Sequence, residues 1–166
     1  ERAAYLTQGV PAIVVALALI GLTLGAVPPL YQSAGLLIFA YAILCLPLAL
    51  VSVRAAFLQA ERTLEEMARG LGLGWAAVLW RVVLPLAGAG IGAAAALVFV
   101  AVVTELTATL LLAPIGTRTL ATEVWANTST LAFAAAAPYA ALMAALSLLS
   151  TWLLARRFGG GTLAAA

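Results

Sequence analysis

The residues of this chain that could do chemistry are few, and they exclude most classes of enzyme. All eight basic residues among its 166 are arginine and all six acidic residues are glutamate, with no histidine. A phosphate-binding P-loop requires a lysine, and a Ser–His–Asp triad requires a histidine. Cys45 is the only cysteine, so zinc sites with several Cys or His ligands are excluded too. We therefore expect no catalytic residue, no cofactor and no bound metal.

One polar segment, residues 60–75, has the pattern of an amphipathic helix. Its apolar residues recur at i, i+3, i+4 and i+7, which places them on one helix face: Leu64, Met67, Ala68 and Leu71. Glu65 and Arg69 form a favourable i,i+4 pair on the exposed flank. The glycines from Gly70 onward are predicted to end the helix, because glycine adopts the left-handed C-cap conformation without steric cost.

Such a helix can lie on a lipid surface or in a groove of a protein. A lipid-bound helix is expected to carry mainly basic residues on its polar face. Here three glutamates balance two arginines. An apolar ridge between charges of both signs is typical of helix-in-groove recognition, so we favour a protein partner and keep the lipid surface as the alternative.

The elements that must position this segment are long and apolar. Hydrophobic residues make up 66% of the chain and charged residues 8%, far from the composition of a soluble domain. Four continuous apolar stretches reach the ~20 residues that a membrane-spanning helix needs, at about 9–30, 34–53, 82–103 and 131–154. The predicted fold class is an all-α membrane protein, a bundle of about four transmembrane helices in one domain over residues 1–158. Residues 159–166 are predicted to be a flexible tail.

The distribution of arginines predicts the orientation in the membrane. Seven of the eight arginines lie before the first stretch, between the second and third, or after the fourth. Only Arg118 lies on the opposite side. Because positive charge stays cytoplasmic, both ends and the loop 54–81 are expected inside. The chain begins at Glu1 rather than methionine, so we expect it to be the C-terminal part of a longer polypeptide.

A small-xxx-small face lies within the third stretch, from Gly88 to Gly92 and on into Ala93–Ala96. Small side chains let another helix backbone approach closely. A contact with another subunit would use such a run, but we interpret it as ordinary close packing within this subunit.

Residues 66–85 resemble the EAA loop of ATP-binding-cassette (ABC) importer permeases. The sequence is Glu66-Met67-Ala68, three residues, Gly72, nine residues, Val82, one residue and Leu84-Pro85, against E-A-A, x3, G, x9, I-x-L-P in the family. Methionine and valine replace the usual first alanine and the isoleucine. In the family this loop forms the coupling helix that docks on the ATPase. The resemblance implies these coupling residues: Leu64, Glu65, Glu66, Met67, Ala68, Leu71, Gly72 and Pro85.

Residues 104–121 resemble a segment of iron(III)-type permeases that reads roughly KELPATLLL-x-P-x-G-x-x-TLA. Thr104 and Thr107 replace its lysine and proline. The resemblance implies an importer of iron(III), with thiamine, phosphonate or another small ligand as the alternative. It also implies a bacterial inner-membrane location and these partners: an ABC ATPase in the cytoplasm, a soluble substrate-binding protein outside, a second permease half, and the lipid bilayer. Nucleic acid is not expected.

Glu105, Thr109 and Arg118 are the candidates for the pathway or its outer gate. Glu105 directly follows the third apolar stretch, where a carboxylate must face water, a partner or protein rather than lipid. It could belong to a gate or to the dock of the binding protein. Alternatively, it is a helix-end carboxylate paired with Arg118. A lone glutamate cannot supply the several oxygen ligands of a hard cation.

Two other functional classes fit less well. A membrane enzyme needs acids, bases or metal ligands at one depth, and the sequence offers few. A secondary transporter with inverted repeats needs broken helices in two corresponding halves, and no internal repeat is visible.

Overall fold

A computed structural model describes residues 9–59 and 67–158 of the chain. Every regular element in these two ranges is helical, which confirms the all-α fold class. Residues 67–70 are also helical. The elements, in chain order, are α1 (Ala12–Ala26), a 3-10 turn (Pro28–Leu30), α2 (Ala34–Gln59), α3 (Trp75–Val78), a π-helical turn (Leu79–Val83), α4 (Leu84–Thr104), α5 (Thr107–Leu112), α6 (Leu120–Ser129) and α7 (Phe133–Phe158).

Two described helices are long and apolar enough to cross a membrane. They comprise Ala34–Leu58 in α2 and Phe133–Leu154 in α7. The segments Trp75–Gly88 and Gly90–Thr104 pass the same test only together, and they meet at a bend of 51°. The described residues thus hold two spans by length and composition, or three if the bent pair counts as one.

The first predicted span, residues 9–30, is shorter in the structure than expected. Helix α1 has 15 residues, about 22 Å at 1.5 Å per residue, and therefore falls short of the ~20 residues of a typical span. The apolar composition continues past its end, but Pro28 and Pro29 open a 3-10 turn instead of extending the helix. The prediction of four full-length spans is therefore not met by α1.

The chain divides into two compact units, the first formed by residues 1–47 and 99–149. In the described part of this unit, α1 packs against α5. Small alanines at the contact let the two helices approach closely, and leucines fill the space around them. The buried residues of this core are Ala16, Leu19, Leu36, Leu37, Ala40, Ala108 and Leu112.

The second unit comprises residues 48–98 and 150–166, and in its described part α2 and α4 make a close approach. A Cβ atom added at Gly90 would lie 2.8 Å from the Cα of Ala56, closer than real Cβ contacts. The interpretation of this glycine as close packing within the subunit is confirmed. A Cβ at Gly88 would meet nothing within 4 Å, so Gly88 carries no such requirement.

The π-helical turn lies directly before Pro85. The Leu84 N–H donates to the Leu79 carbonyl, five residues back rather than four. A proline in a regular α-helix removes one N–H donor and clashes with the carbonyl four residues earlier. A π turn is a known local adjustment in helices, often near functional sites, and here it immediately precedes the proline of the EAA-like motif.

Candidate functional site

The helix that precedes Gly72 ends in a Schellman motif. The Gly72 N–H donates to the Arg69 carbonyl (2.9 Å) and the Leu73 N–H donates to the Ala68 carbonyl (3.2 Å). This pair of bonds defines the motif, with Gly72 at the position after the C-cap. Its φ is +81°, a left-handed conformation that favours glycine. The predicted glycine stop is confirmed, and the residue that makes it is Gly72, two residues after Gly70.

Not every residue of the predicted apolar stripe of this helix is exposed. Met67 and Leu71 are 59% and 83% exposed, whereas Ala68 is only 6% exposed. The expectation that Ala68 belongs to an outward ridge is therefore corrected, because its small side chain already lies against the rest of the chain. Leu64, Glu65 and Glu66 lie outside the described residues.

Two tryptophans enlarge the exposed apolar surface of the segment. Trp75 is 73% exposed and Trp80 is 71% exposed. Large exposed apolar patches mark sites of protein or membrane contact, and tryptophan is enriched at binding hot spots and at membrane interfaces. The helical periodicity did not identify either residue, although two tryptophans within six positions of a predicted loop were the available signal.

We use the name coupling surface for four exposed side chains, Met67, Leu71, Trp75 and Trp80, after the role proposed for them below. All four lie in the second unit, between residues 67 and 80. Such a surface can be covered by an apolar cleft of a protein or by lipid, and it contains no group that could act as an acid or base.

A polar cluster in the first unit brings Glu105 and Thr109 together. The Glu105 Oε1 atom accepts a hydrogen bond from the Ala108 N–H (3.0 Å), and the Thr109 hydroxyl donates to the Glu105 carbonyl (2.8 Å). The carboxylate thus satisfies a free N–H in the first turn of α5, as a helix cap does. Thr109 is fully buried.

Tyr41 completes this cluster from α2. Its hydroxyl lies 2.5 Å from the Thr109 hydroxyl. Because the Thr109 hydrogen is directed to the Glu105 carbonyl, the Tyr41 phenol is the donor of this bond. Local sequence patterns did not identify Tyr41, because its partner Thr109 is 68 positions away. The available signal was a phenol hydroxyl within an apolar helix.

Arg118 pairs with Glu123, not with Glu105. Its Nε and Nη2 atoms donate to the two carboxylate oxygens of Glu123 at 2.5 and 2.7 Å. This bidentate contact lowers the pKa of the Glu123 carboxyl and raises that of the Arg118 guanidinium, chiefly through the hydrogen bonds. The alternative reading of Glu105 as the partner of Arg118 is therefore corrected: its carboxylate caps α5 instead.

A pocket of about 360 Å³ lies between α5 and α6. Helix α6 begins with a capping box in which Thr119 and Thr122 exchange hydrogen bonds with each other's backbone. The pocket combines hydroxyl, amide and carboxylate groups with apolar walls. It is lined by Gln32, Thr109, Leu110, Ala113, Pro114, Ile115, Thr117, Thr122, Glu123, Trp125 and Ala126. Within residues 9–59 and 67–158, no three His, Cys, Asp or Glu side chains are grouped to hold a metal ion.

Comparison with known proteins adds two findings. The chain matches the family described as "Binding-protein-dependent transport system inner membrane component" over residues 1–157. It is also 37% identical over 154 residues to "Fe(3+)-transport system permease protein FbpB 2" of Haemophilus influenzae, an alignment that covers 93% of this chain and 30% of that protein. The chain thus spans less than a third of the length of this relative.

Proposed function

This chain belongs to the family of binding-protein-dependent transport system inner membrane components, and from that premise we propose that it is part of the permease of an ATP-driven importer in a bacterial inner membrane. The family is one of transport permeases rather than enzymes, and the apolar helices α2 and α7 are those of a membrane protein. In this proposal the chain lines a substrate pathway together with a second permease half. A soluble binding protein delivers substrate outside, and a separate ATPase supplies energy inside.

The observation that carries the coupling role is the Schellman motif beside the coupling surface. The left-handed Gly72 stops the helix sharply, so that Leu71 is presented at the turn with 83% of its surface exposed. A leucine fixed in this position can enter an apolar cleft without first being ordered, which reduces the entropic cost of binding. We propose that the cleft belongs to the ATPase, in line with the EAA-like spacing of this loop.

Iron(III) is the proposed substrate. The relative from Haemophilus influenzae is named for Fe(3+) transport, and residues 104–121 resemble iron-type permeases. Thiamine or a phosphonate is the alternative, because Thr104 and Thr107 depart from the iron-type pattern. Glu105, Thr109 and Arg118 are our candidates for the outer end of the pathway. In the structure Glu105 caps α5, Thr109 bonds to Tyr41, and Arg118 pairs with Glu123.

The test of this function is Leu71→Asp in the complete transporter, reconstituted with its ATPase and binding protein. A buried carboxylate in an apolar cleft is unfavourable, so we expect iron uptake and copurification of the ATPase to be lost while the amount of permease in the membrane is unchanged. The measurements are ATP-driven uptake of radioactive Fe³⁺ and the ATPase-to-permease ratio after purification.

Leu131→Asp is the matched control. Leu131 is 75% exposed and lies in the turn between α6 and α7, on the predicted outer side. This variant should retain ATPase copurification. Copurification and uptake at wild-type levels in Leu71→Asp would contradict the coupling role, and a lipid-lying helix would then be favoured. ATP-driven uptake of thiamine or a phosphonate instead of Fe³⁺ would contradict the substrate.

A further inference from the structure

Helix α5 lies between the pocket and α2 and has contacts with both. Thr109, Leu110 and Ala113, from α5 and the residue after it, line the pocket. The hydroxyl of Thr109 is at the same time hydrogen-bonded to Tyr41 of α2. Thr109 is therefore a shared residue, part of the pocket wall and part of the contact with a membrane-spanning helix.

This short helix depends on a few specific interactions. It has six residues, too few for a helix to be stable by itself. The Glu105 carboxylate caps its first turn, a buried apolar core joins it to α1 and α2, and the Tyr41 phenol bonds Thr109. The bond from Tyr41 is a hydrogen bond between a side chain of α2 and a side chain of α5. Because Thr109 also donates to the Glu105 carbonyl, the bond from Tyr41 indirectly holds the capping residue in place.

We propose that Tyr41 is a positioning residue of the importer: its hydrogen bond to Thr109 holds α5, the wall of the outer pocket, against α2 in the resting state, so that ATP hydrolysis depends on the binding protein. This inference rests on the proposed function. An event at the pocket that moves α5 must stretch or break this bond, and α2 then responds. A residue that stabilises one of two conformational states more than the other shifts the equilibrium between them by that difference in free energy.

Removing the phenol should therefore raise the activity of the transporter without its binding protein. Hydrogen bonds between membrane helices contribute modestly, equivalent to about a threefold change in an equilibrium. In Tyr41→Phe we expect basal ATPase activity to rise about threefold and stimulation by the binding protein to fall by a similar factor. A purely structural role would instead lower both activities in proportion to the amount of folded protein and leave their ratio unchanged.

Variants of Thr109 provide a second approach to the same bond. Thr109→Val removes the hydroxyl at nearly constant volume, and Thr109→Ser keeps it. We expect Thr109→Val to match Tyr41→Phe, the double variant to be no more active than either one, and Thr109→Ser to behave as wild type. Tyr31→Phe is the matched control, because Tyr31 lies in the turn before α2 and the described contacts give its hydroxyl no such bond.

Cys45 offers an independent measurement of the same event. It lies one helical turn after Tyr41 on α2, is half-buried, and shares the Glu105 carboxylate as an electrostatic neighbour with Tyr41. Separation of α5 from α2 should speed its modification by a small maleimide in Tyr41→Phe, relative to wild type and with Cys45→Ala as the blank.

The outcomes separate the inference from the proposed function. If the wild-type transporter shows no stimulation of ATP hydrolysis by its binding protein, the proposed function fails. If wild type is stimulated, and Tyr41→Phe and Thr109→Val keep the wild-type ratio of stimulated to basal activity, the positioning role of Tyr41 is wrong.

Discussion

At the scale of the residue, Gly72 shows how one backbone angle shapes the coupling surface. Its φ of +81° is a conformation in which other L-residues are strained by roughly 1–2 kcal/mol. Gly70 and Gly74 lie in the same segment without a positive φ. A Cβ atom at any of the three would meet nothing within 4 Å, so the three glycines differ in conformation and not in available space.

Because Gly72 has a positive φ and Gly70 does not, an alanine substitution should have different effects at these two positions. Gly72→Ala should impair ATPase copurification and uptake, because strain at the cap favours other conformations of the turn. Gly70→Ala should be neutral, and Gly72→Asn should be milder than Gly72→Ala, since asparagine tolerates the left-handed region. Equal effects of the two alanine variants in the uptake assay would show that the left-handed cap is not required.

At the scale of the element, Gly90 is a point where α4 approaches α2 too closely for a Cβ atom. Gly90→Ala should destabilise the transporter in detergent by about 1–3 kcal/mol, the usual range for an overpacked site. Gly88→Ala is the matched control. Ala56→Gly should not restore the thermal stability of Gly90→Ala, because the new Cβ would still lie 2.8 Å from the Cα of residue 56. Equal thermal stability of Gly90→Ala and Gly88→Ala would contradict this packing.

Local patterns predicted some of these elements, and contacts distant in sequence decided the rest. The glycine stop after the helical residues 67–70 follows from local chemistry, so the sequence predicted it to within two residues. The burial of Ala68 and the bond between Tyr41 and Thr109 depend on which helices pack together, which periodicity alone does not specify. Arg118 pairs with Glu123, five residues away, rather than with the predicted Glu105, whose carboxylate accepts a hydrogen bond from the backbone N–H of Ala108.

At the scale of the whole molecule, the proposed function combines apolar helices of a membrane protein with a segment proposed to contact an ATPase in the cytoplasm. The arginine distribution predicts that residues 54–81 lie inside, and the EAA-like spacing predicts an ATPase partner there. Exposed Met67 and Leu71 at a helix end with a defined cap are what such a partner would require. The family relationship covers residues 1–157, so it includes both the coupling segment and the outer cluster.

The most direct test of the central claim is cross-linking of a cysteine at position 71 to the ATPase subunit in the assembled transporter. A Leu71→Cys permease treated with a short thiol cross-linker should form a covalent adduct with the ATPase, and the yield should change when ATP is added. A cysteine at Thr117, exposed on the predicted outer side, should form none. An adduct from position 117 and none from position 71 would contradict both the orientation and the coupling role.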